Sequence, residues 1–525
     1  MKTKPLFLIL SLCLSAIIST STAQQAVFNK VYYDEVQGLH ILGSDIAPDH
    51  GYVMVGKKYD NSGHIMKIDS AGNVEWTRQL SRPDHYSEIT DVISNPDSTI
   101  VTVGLVYTSS EPLLNIVKWS KAGDTLWTRN LDGLAAFSSI SIRRSSAGGY
   151  FIATSNQNFY TLSNNTSQIL KLDINGELVW SKTYLSDDYL IFFNAIGELP
   201  DLSLILAGYV KNKGSNEFNL FISRTDEAGI PLWSEMLENP EGFTYSEAFD
   251  VSVTPEGFVV LAKVADRTSL IKTEFTGTPL WSRTYSWSGW SMWTETSGKI
   301  TRLPDGSFII ASVGYMGEIM KTDTSGFPEW VQSVFMEIVD VVPSTDGGYT
   351  AFGNGPVFGV KTVPNYFPQI GVYKTDSEGN GGSCVHSLIQ EMQNYTATFN
   401  SLNIEAFDLG AVMSSIITIN SFPVLVEDTC VAYVGGVNNH DPANNSLRIF
   451  PNPATDVFSI EIPVINPNYF GRLEIISEEG RLVYSCNDIA SFRNGINPGY
   501  LPDGIYLVRL ISGNNNYTGK LMIRH

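Results

Sequence analysis

Lys171-Leu172-Asp173-Ile174-Asn175-Gly176-Glu177-Leu178-Val179-Trp180 is the stretch that decides the fold, because the chain repeats its pattern. The pattern reads basic residue, x, acid, x, x, Gly, x, x, x, Trp. It returns as Lys67, Asp69, Gly72, Trp76; as Arg224, Asp226, Gly229, Trp233; as Lys272, Glu274, Gly277, Trp281; and as Lys321, Asp323, Gly326, Trp330. A further copy, Lys118, Gly123, Trp127, carries Ser120 at the acid position. The tryptophans at 76, 127, 180, 233, 281 and 330 lie 51, 53, 53, 48 and 49 residues apart. Self-similarity at about fifty residues marks a repeat architecture.

Each copy follows a turn such as Pro48-Asp49-His50-Gly51 or Pro304-Asp305-Gly306, then a β-rich run such as Phe308-Ile309-Ile310-Ala311-Ser312. An alternating run lies ahead of that turn, as in Ala248-Phe249-Asp250-Val251-Ser252-Val253. The unit is therefore four strands, which is the make-up of a β-propeller blade. Alternation puts the basic residue and the acid on one face of the third strand. The acid is placed to cap the next turn, Gly to take its positive φ, and Trp to pack one blade on the next. A ring of these acids is not read as a metal site, because one residue per blade does not converge on one ion.

A seventh copy starts at Lys374, Asp376 and Gly379, but Ser383 and Cys384 follow where Trp is due. The missing strand is found at the other end of the chain. Phe28 in Ala26-Val27-Phe28-Asn29-Lys30 takes the Trp place, and the interval to Trp76 is 48. The expected fold is all-β: a seven-bladed β-propeller over 24–384, closed by its N-terminal strand so that no sheet edge stays free. An extra β segment over 385–434 packs on it. A polar linker (435–446) leads to a small C-terminal β-sandwich over 447–525.

The repeats resemble the delta-60-type repeats of bacterial exported proteins and the tryptophan-docking repeat of pyrroloquinoline-quinone dehydrogenases. The second resemblance implies a redox enzyme. This chain departs from it in lacking an adjacent Cys-Cys pair and in having seven repeats where that family has eight. No cofactor is expected. His-Glu-x-x-His, Gly-x-Ser-x-Gly, phosphate-loop and EF-hand patterns are absent from the sequence, and so are metal-ligand spacings of Cys or His.

The net charge is −20, which argues against nucleic acid as a partner. Lys2, Lys4, an apolar run over 6–18 and Ser21-Thr22-Ala23 form a secretion signal over 1–23, too short for a stable membrane span. Leu12 before Cys13 does not suit lipidation, and no later segment reads as transmembrane. In an exported protein Cys384 and Cys430 are expected to pair, leaving Cys486 free.

The C-terminal region carries three ordered motifs. Ile449-Phe450-Pro451-Asn452-Pro453-Ala454-Thr455-Asp456 resembles the opening of the type IX secretion C-terminal sorting domain. Leu501-Pro502-Asp503-Gly504-Ile505-Tyr506 resembles its later element, and Lys520-Leu521-Met522-Ile523 its last strand. The resemblance implies recognition through Pro451, Asn452, Pro453, Gly504, Tyr506 and Lys520 by the type IX machinery of a Bacteroidota cell. It also implies passage through the periplasm, then release or attachment to surface lipopolysaccharide.

For a ligand site the sequence points to the connections between blades, where Tyr86, Phe137, Tyr189, Phe243 and Trp290 recur, a recurrence that reads first as inter-blade packing, while Trp287 and Trp290 exceed that need. Tyr285, Trp287, Trp290 and Trp293 form the densest aromatic group there, suited to stacking on a sugar or gripping a peptide. The leading reading is a binding or adhesion protein for a glycan or protein ligand. The alternative is a carbohydrate-active or other hydrolase. Convergent carboxylates in the central funnel mark the enzyme, and a shallow aromatic face marks the binder.

Overall fold

The repeated turn does in the computed structural model what its residues dictate. The structure describes residues 27–34, 38–81, 86–108, 112–132, 139–155, 167–240, 242–265, 267–287, 298–312, 317–334, 336–355 and 369–381. It further describes 385–387, 390–394, 396–408, 412–414, 418–420, 425–428, 447–455, 457–461, 471–477, 482–486, 501–512 and 515–524. Asp173 Oδ1 accepts the amides of Asn175 and Glu177, both at 2.8 Å, and Gly176 sits at φ +78°. Asp69, Asp226, Asp323 and Asp376 cap their turns in the same way, and Ser120 does so with its hydroxyl. The basic residue of the repeat ties back to the turn between the first two strands, as in Lys67–Asp49 at 2.9 Å and Lys374–Asp346 at 2.6 Å.

The chain divides into two compact units, Met1–Ala432 and Tyr433–His525. The first is all-β and contains no helix among the described residues. Six antiparallel four-strand units run in sequence over 39–81, 87–132, 139–185, 189–237, 246–287 and 298–334, here sheets 1 to 6. Sheet 7 draws three strands from 337–375, and its fourth is the N-terminal strand Phe28–Tyr33, which pairs Phe28 with Lys374 and Tyr32 with Ile370. Such four-strand units are those of propeller blades.

Second and third strands such as Tyr52–Lys58 and Gly63–Ile68 are buried almost throughout. Both faces of each sheet are covered, so these strands read as continuous apolar runs rather than alternating ones. One apolar cluster fills each space between a sheet and its successor. Sheets 1 and 2 enclose Val53, Val55, Ile89 and Trp119, and sheets 7 and 1 enclose Tyr32, Phe352, Ile41 and Tyr52.

The tryptophan of each sheet lies against the glycine of the next repeated turn. A Cβ on Gly176 would stand 2.7 Å from the Trp127 ring; Gly123, Gly229, Gly326 and Gly379 face Trp76, Trp180, Trp281 and Trp330 equally closely. Phe28 takes this place against Gly72. Sheet 4 differs: Glu235 faces Gly277, while Trp233 donates to the Phe275 carbonyl at 3.3 Å. Four residues beyond the ring, the hydroxyls of Tyr32, Tyr184 and Tyr285 donate at 2.7 Å to the carbonyls of Gly72, Gly229 and Gly326.

The segment after the repeats goes well beyond a few extra strands. It adds one short antiparallel strand to the outer edge of every sheet, in descending order from 6 to 1 and then to 7. These strands are Val385–Ser387, Gln390–Asn394, Phe399–Ser401, Glu405–Asp408, Val412–Ser414, Thr418–Asn420 and Leu425–Asp428. Opposite Val334, Tyr285, Leu237, Tyr184, Leu131, Leu80 and Tyr32 stand residues 385, 392, 399, 406, 413, 419 and 426. This belt therefore advances seven residues per sheet, with one step of six. Ala397 and Ile404 are buried in the apolar clusters it crosses. Cys384 and Cys430, the expected disulfide partners, lie outside the described residues, and Cys486 ends the strand Leu482–Cys486.

The second unit holds a four-stranded sheet and the pair Arg448–Phe450 with Ser459–Glu461 around a core including Phe458, Leu473, Val508 and Leu521. Asn452 joins its first motif to its last. The amide nitrogen donates to the Lys520 carbonyl at 2.6 Å, and the oxygen accepts the Met522 amide at 2.8 Å. Tyr506 donates its hydroxyl to the Pro502 carbonyl at 2.8 Å.

Gly176→Ala is expected to destabilise the first unit by about 2–4 kcal/mol, since it adds positive-φ strain and a clash with Trp127. Urea denaturation of the mature chain checks this, with a surface Gly148→Ala as the comparison, where nothing lies within 4 Å of the added carbon.

Candidate functional site

The first strands of the seven sheets meet around a cavity of about 440 Å³. Its lining comes mostly from their middles and C-terminal halves, with Asp45, Asp91, Arg143, Asp250 and Asp340, and from the short strand Gly298–Arg302 with Lys299. It therefore lies toward the turns between first and second strands, away from the connections between sheets.

A β-bulge places three of the carboxylates. The first strands slip register between Ile89 and Asp91, between Ala248 and Asp250, and between Ile338 and Asp340. Such a slip re-aims the side chain that follows it. Each aspartate then accepts the amide of its own successor: Val92 at 2.9 Å, Val251 at 2.9 Å and Val341 at 2.8 Å. The second oxygen reaches the neighbouring sheet. Asp91 accepts the Ile142 amide at 3.0 Å, Asp250 the Ile300 amide at 3.1 Å, and Asp340 the Ser44 hydroxyl at 2.9 Å. Asp45 repeats the arrangement with Ile46 at 2.9 Å and Ser94 at 2.6 Å. All eight carboxylate oxygens thus accept a hydrogen bond.

Arg143 spans the cavity. It lies 3.2 Å from Asp250, two sheets away, and 3.6 Å from Asp91 in the preceding sheet. Sheet 4, which lies between, contributes Ile196 and Gly197 to the lining and no charge. Burial opposes the charge on Arg143, but Asp250 and Asp91 together hold its pKa above the ordinary value. Burial pushes Asp45 up to about 7 and Asp340 up to about 6, against the pull of their amide bonds and, for Asp340, of Lys299. Among the described residues no cluster of His, Cys, Asp or Glu is arranged to hold a metal ion.

The aromatic group expected at the connections is placed only in part. Tyr285 is fully buried, its hydroxyl bound to Gly326 in the next sheet. Trp287 ends its strand with its backbone opposite Gln390 of the belt, and Trp290 and Trp293 lie outside the described residues. Tyr86 meets Tyr107 edge-on at 4.7 Å, bonds Glu88, and accepts from Lys57 at 3.2 Å. The cavity carboxylates carry only a faint sequence signal: Asp91-Val92, Asp250-Val251 and Asp340-Val341 recur in the first strands of three of the seven units.

Comparison with known proteins supports one part of the chain. The family model described as the secretion system C-terminal sorting domain matches residues 448–524. The chain is thus exported by type IX secretion, to the cell surface or beyond it. No curated protein matches the sequence. Among solved structures, a protein of unknown function from Bacteroides caccae aligns at 13% identity and TM-score 0.33, over 55% of this chain and 93% of that one. The quinone-bound aldose sugar dehydrogenase of Streptomyces coelicolor aligns at 10% identity and TM-score 0.32, over 66% and 98%. A putative 6-phosphogluconolactonase from Bacteroides uniformis aligns at 8% identity and TM-score 0.33, over 70% and 100%. No described helix is long and apolar enough to cross a membrane.

Arg143→Met is expected to cost about 3–5 kcal/mol at pH 7, because it strands two buried carboxylates. Adding Asp250→Asn should restore part of that loss in the same denaturation assay. The raised carboxyls give a second test. Between about pH 4 and 7 the unfolded chain releases the Asp45 proton while the folded chain keeps it, so this group's contribution to stability falls as pH rises. Relative to wild type, Asp45→Asn should gain on the order of 2 kcal/mol across that window, read from denaturation at pH 4.5 and 8.

Proposed function

We propose that the chain is an exported binding protein: a seven-bladed propeller closed by its N-terminal strand, taking a small polar ligand in its central cavity. The secretion signal over 1–23 and the sorting unit deliver it.

Two observations support the closed ring. Seven sheets share seven apolar interfaces, including one between sheets 7 and 1, where an open row would have six. The belt step from sheet 1 to sheet 7 also takes seven residues, from 419 to 426, like most other steps. Seven extended residues reach roughly 23 Å, which supports those two sheets being neighbours.

Binding rather than hydrolysis is carried by the state of the cavity carboxylates. They do converge, as a hydrolase requires, but all eight oxygens hold the inner strands together. Asp91 and Asp250 are further held by Arg143. Asp45, raised to about 7, supports a second reading in which it serves as a general acid. A screen of the mature chain against neutral and acidic glycans and peptides, run beside a glycosidase assay, separates the two. Saturable binding without turnover is expected. Turnover lost in Asp45→Asn would establish the second reading. For delivery, removing 447–525 should retain the protein in the periplasm; its normal appearance at the surface would contradict the role given to the sorting unit.

A further inference from the structure

We propose that the central cavity is an anion site, binding an acidic ligand through its carboxylate, sulfate or phosphate group with Lys299 and Arg302. This rests on the cavity being the binding site and adds the ligand's chemistry.

The hydrogen-bonding groups of the lining divide into engaged and unengaged ones. The lining carries four carboxylates and three cations. All carboxylate oxygens already accept hydrogen bonds, mostly from backbone amides that cannot move away. Arg143 is fixed between Asp91 and Asp250. Lys299 and Arg302, both from the first strand of sheet 6, have no hydrogen bond or ion pair among the described residues. Lys299 lies in the field of Asp340. Other cations of the unit are engaged, by acids for Lys67, Arg224, Lys272, Lys321 and Lys374 and by backbone carbonyls for Lys171 and Lys213.

A site whose remaining groups are cationic donors selects a ligand rich in acceptors and negative charge. The hydroxyls of Thr301 and Ser252, also in the lining, serve the neutral part of such a ligand. A volume of about 440 Å³ suits a monosaccharide-sized molecule rather than a protein chain.

The charged groups facing the cavity are Asp45, Asp91, Asp250 and Asp340 against Arg143, Lys299 and Arg302. With every carboxyl ionised the site carries −1. Once Asp45 and Asp340 take up protons, near pH 7 and 6, it carries +1. Anion affinity should therefore rise on acidification from pH 8 to 5.5, and salt should weaken it.

The test is calorimetric titration of the mature full-length chain with glucuronate, glucose 6-sulfate, inorganic phosphate and neutral glucose. At least one anion is expected to bind more tightly than glucose, about tenfold or more. Glucuronate, the sulfate ester and phosphate distinguish the three sources of charge. The Lys299→Gln/Arg302→Gln variant, folded by circular dichroism, should lose that preference, and wild-type affinity should fall between pH 5.5 and 8. Equal binding of glucose and the anions, or an unchanged preference in the double variant, overturns the anion site. Thr301→Trp, which fills the cavity, tests the underlying reading separately. Binding that survives it places the ligand elsewhere and overturns both, as does the absence of binding by every probe.

Discussion

The first unit depends on one contact made again and again: an aromatic ring on the outer strand of one sheet, laid on the glycine of the next sheet's turn. Nothing larger than hydrogen fits on Gly176 beneath Trp127. The same turn needs a positive φ, so conformation and packing select glycine together. The turn is rigid because the aspartate caps it, and a rigid turn gives the ring a fixed seat. Arg78, Arg129 and Arg283 lie over the rings of Trp76, Trp127 and Trp281 at 5.4, 5.3 and 5.2 Å. Spacing between sheets is thus set at the rim, and spacing at the rim fixes how the inner strands meet.

At the inner end the same geometry produces a different chemistry. Aspartates of the repeated turns stand far apart and each serves only its own turn. Aspartates of the first strands crowd together, and one arginine reaches carboxylates from two sheets. Position along the radius, more than residue type, separates a capping aspartate from one that shapes a cavity. The belt completes the picture at the outer edge. It pairs the half of each outer strand nearest the intersheet connections, and its last strand, Leu425–Asp428, pairs with the N-terminal strand itself. That strand is then held on both sides, by residues 370–374 and by residues 425–428.

Much of this is written plainly in the sequence, and the rest is written more faintly. The Trp motif marks the four-strand unit because its turn needs particular residues at particular places. Phe28 is readable as the seventh ring because its interval matches. The belt escapes such reading because a strand laid on an edge needs only an apolar residue at one place and reach between places. Its period of seven shows once Met392, Phe399, Ala406 and Met413 are set opposite their partners, and before that it is a handful of apolar residues. The aromatic side chains at the connections drew attention because they are large. Tyr285 is in fact consumed by packing, while the cavity is lined by Asp-Val pairs that look like ordinary strand. In the sorting unit, the Asn452 of its first motif has a plain physical task, clamping the final strand through two backbone groups.

The measurement that bears most directly on this account is native-state hydrogen exchange of the amides of Lys30, Val31 and Tyr32. In a ring closed by the N-terminal strand and backed by the belt, these amides should exchange only through global unfolding, as slowly as those of Ile65 and Met66 in sheet 1. Exchange at the rate of a fraying terminus, while the other sheets stay protected, would contradict the closed ring and the cavity it encloses.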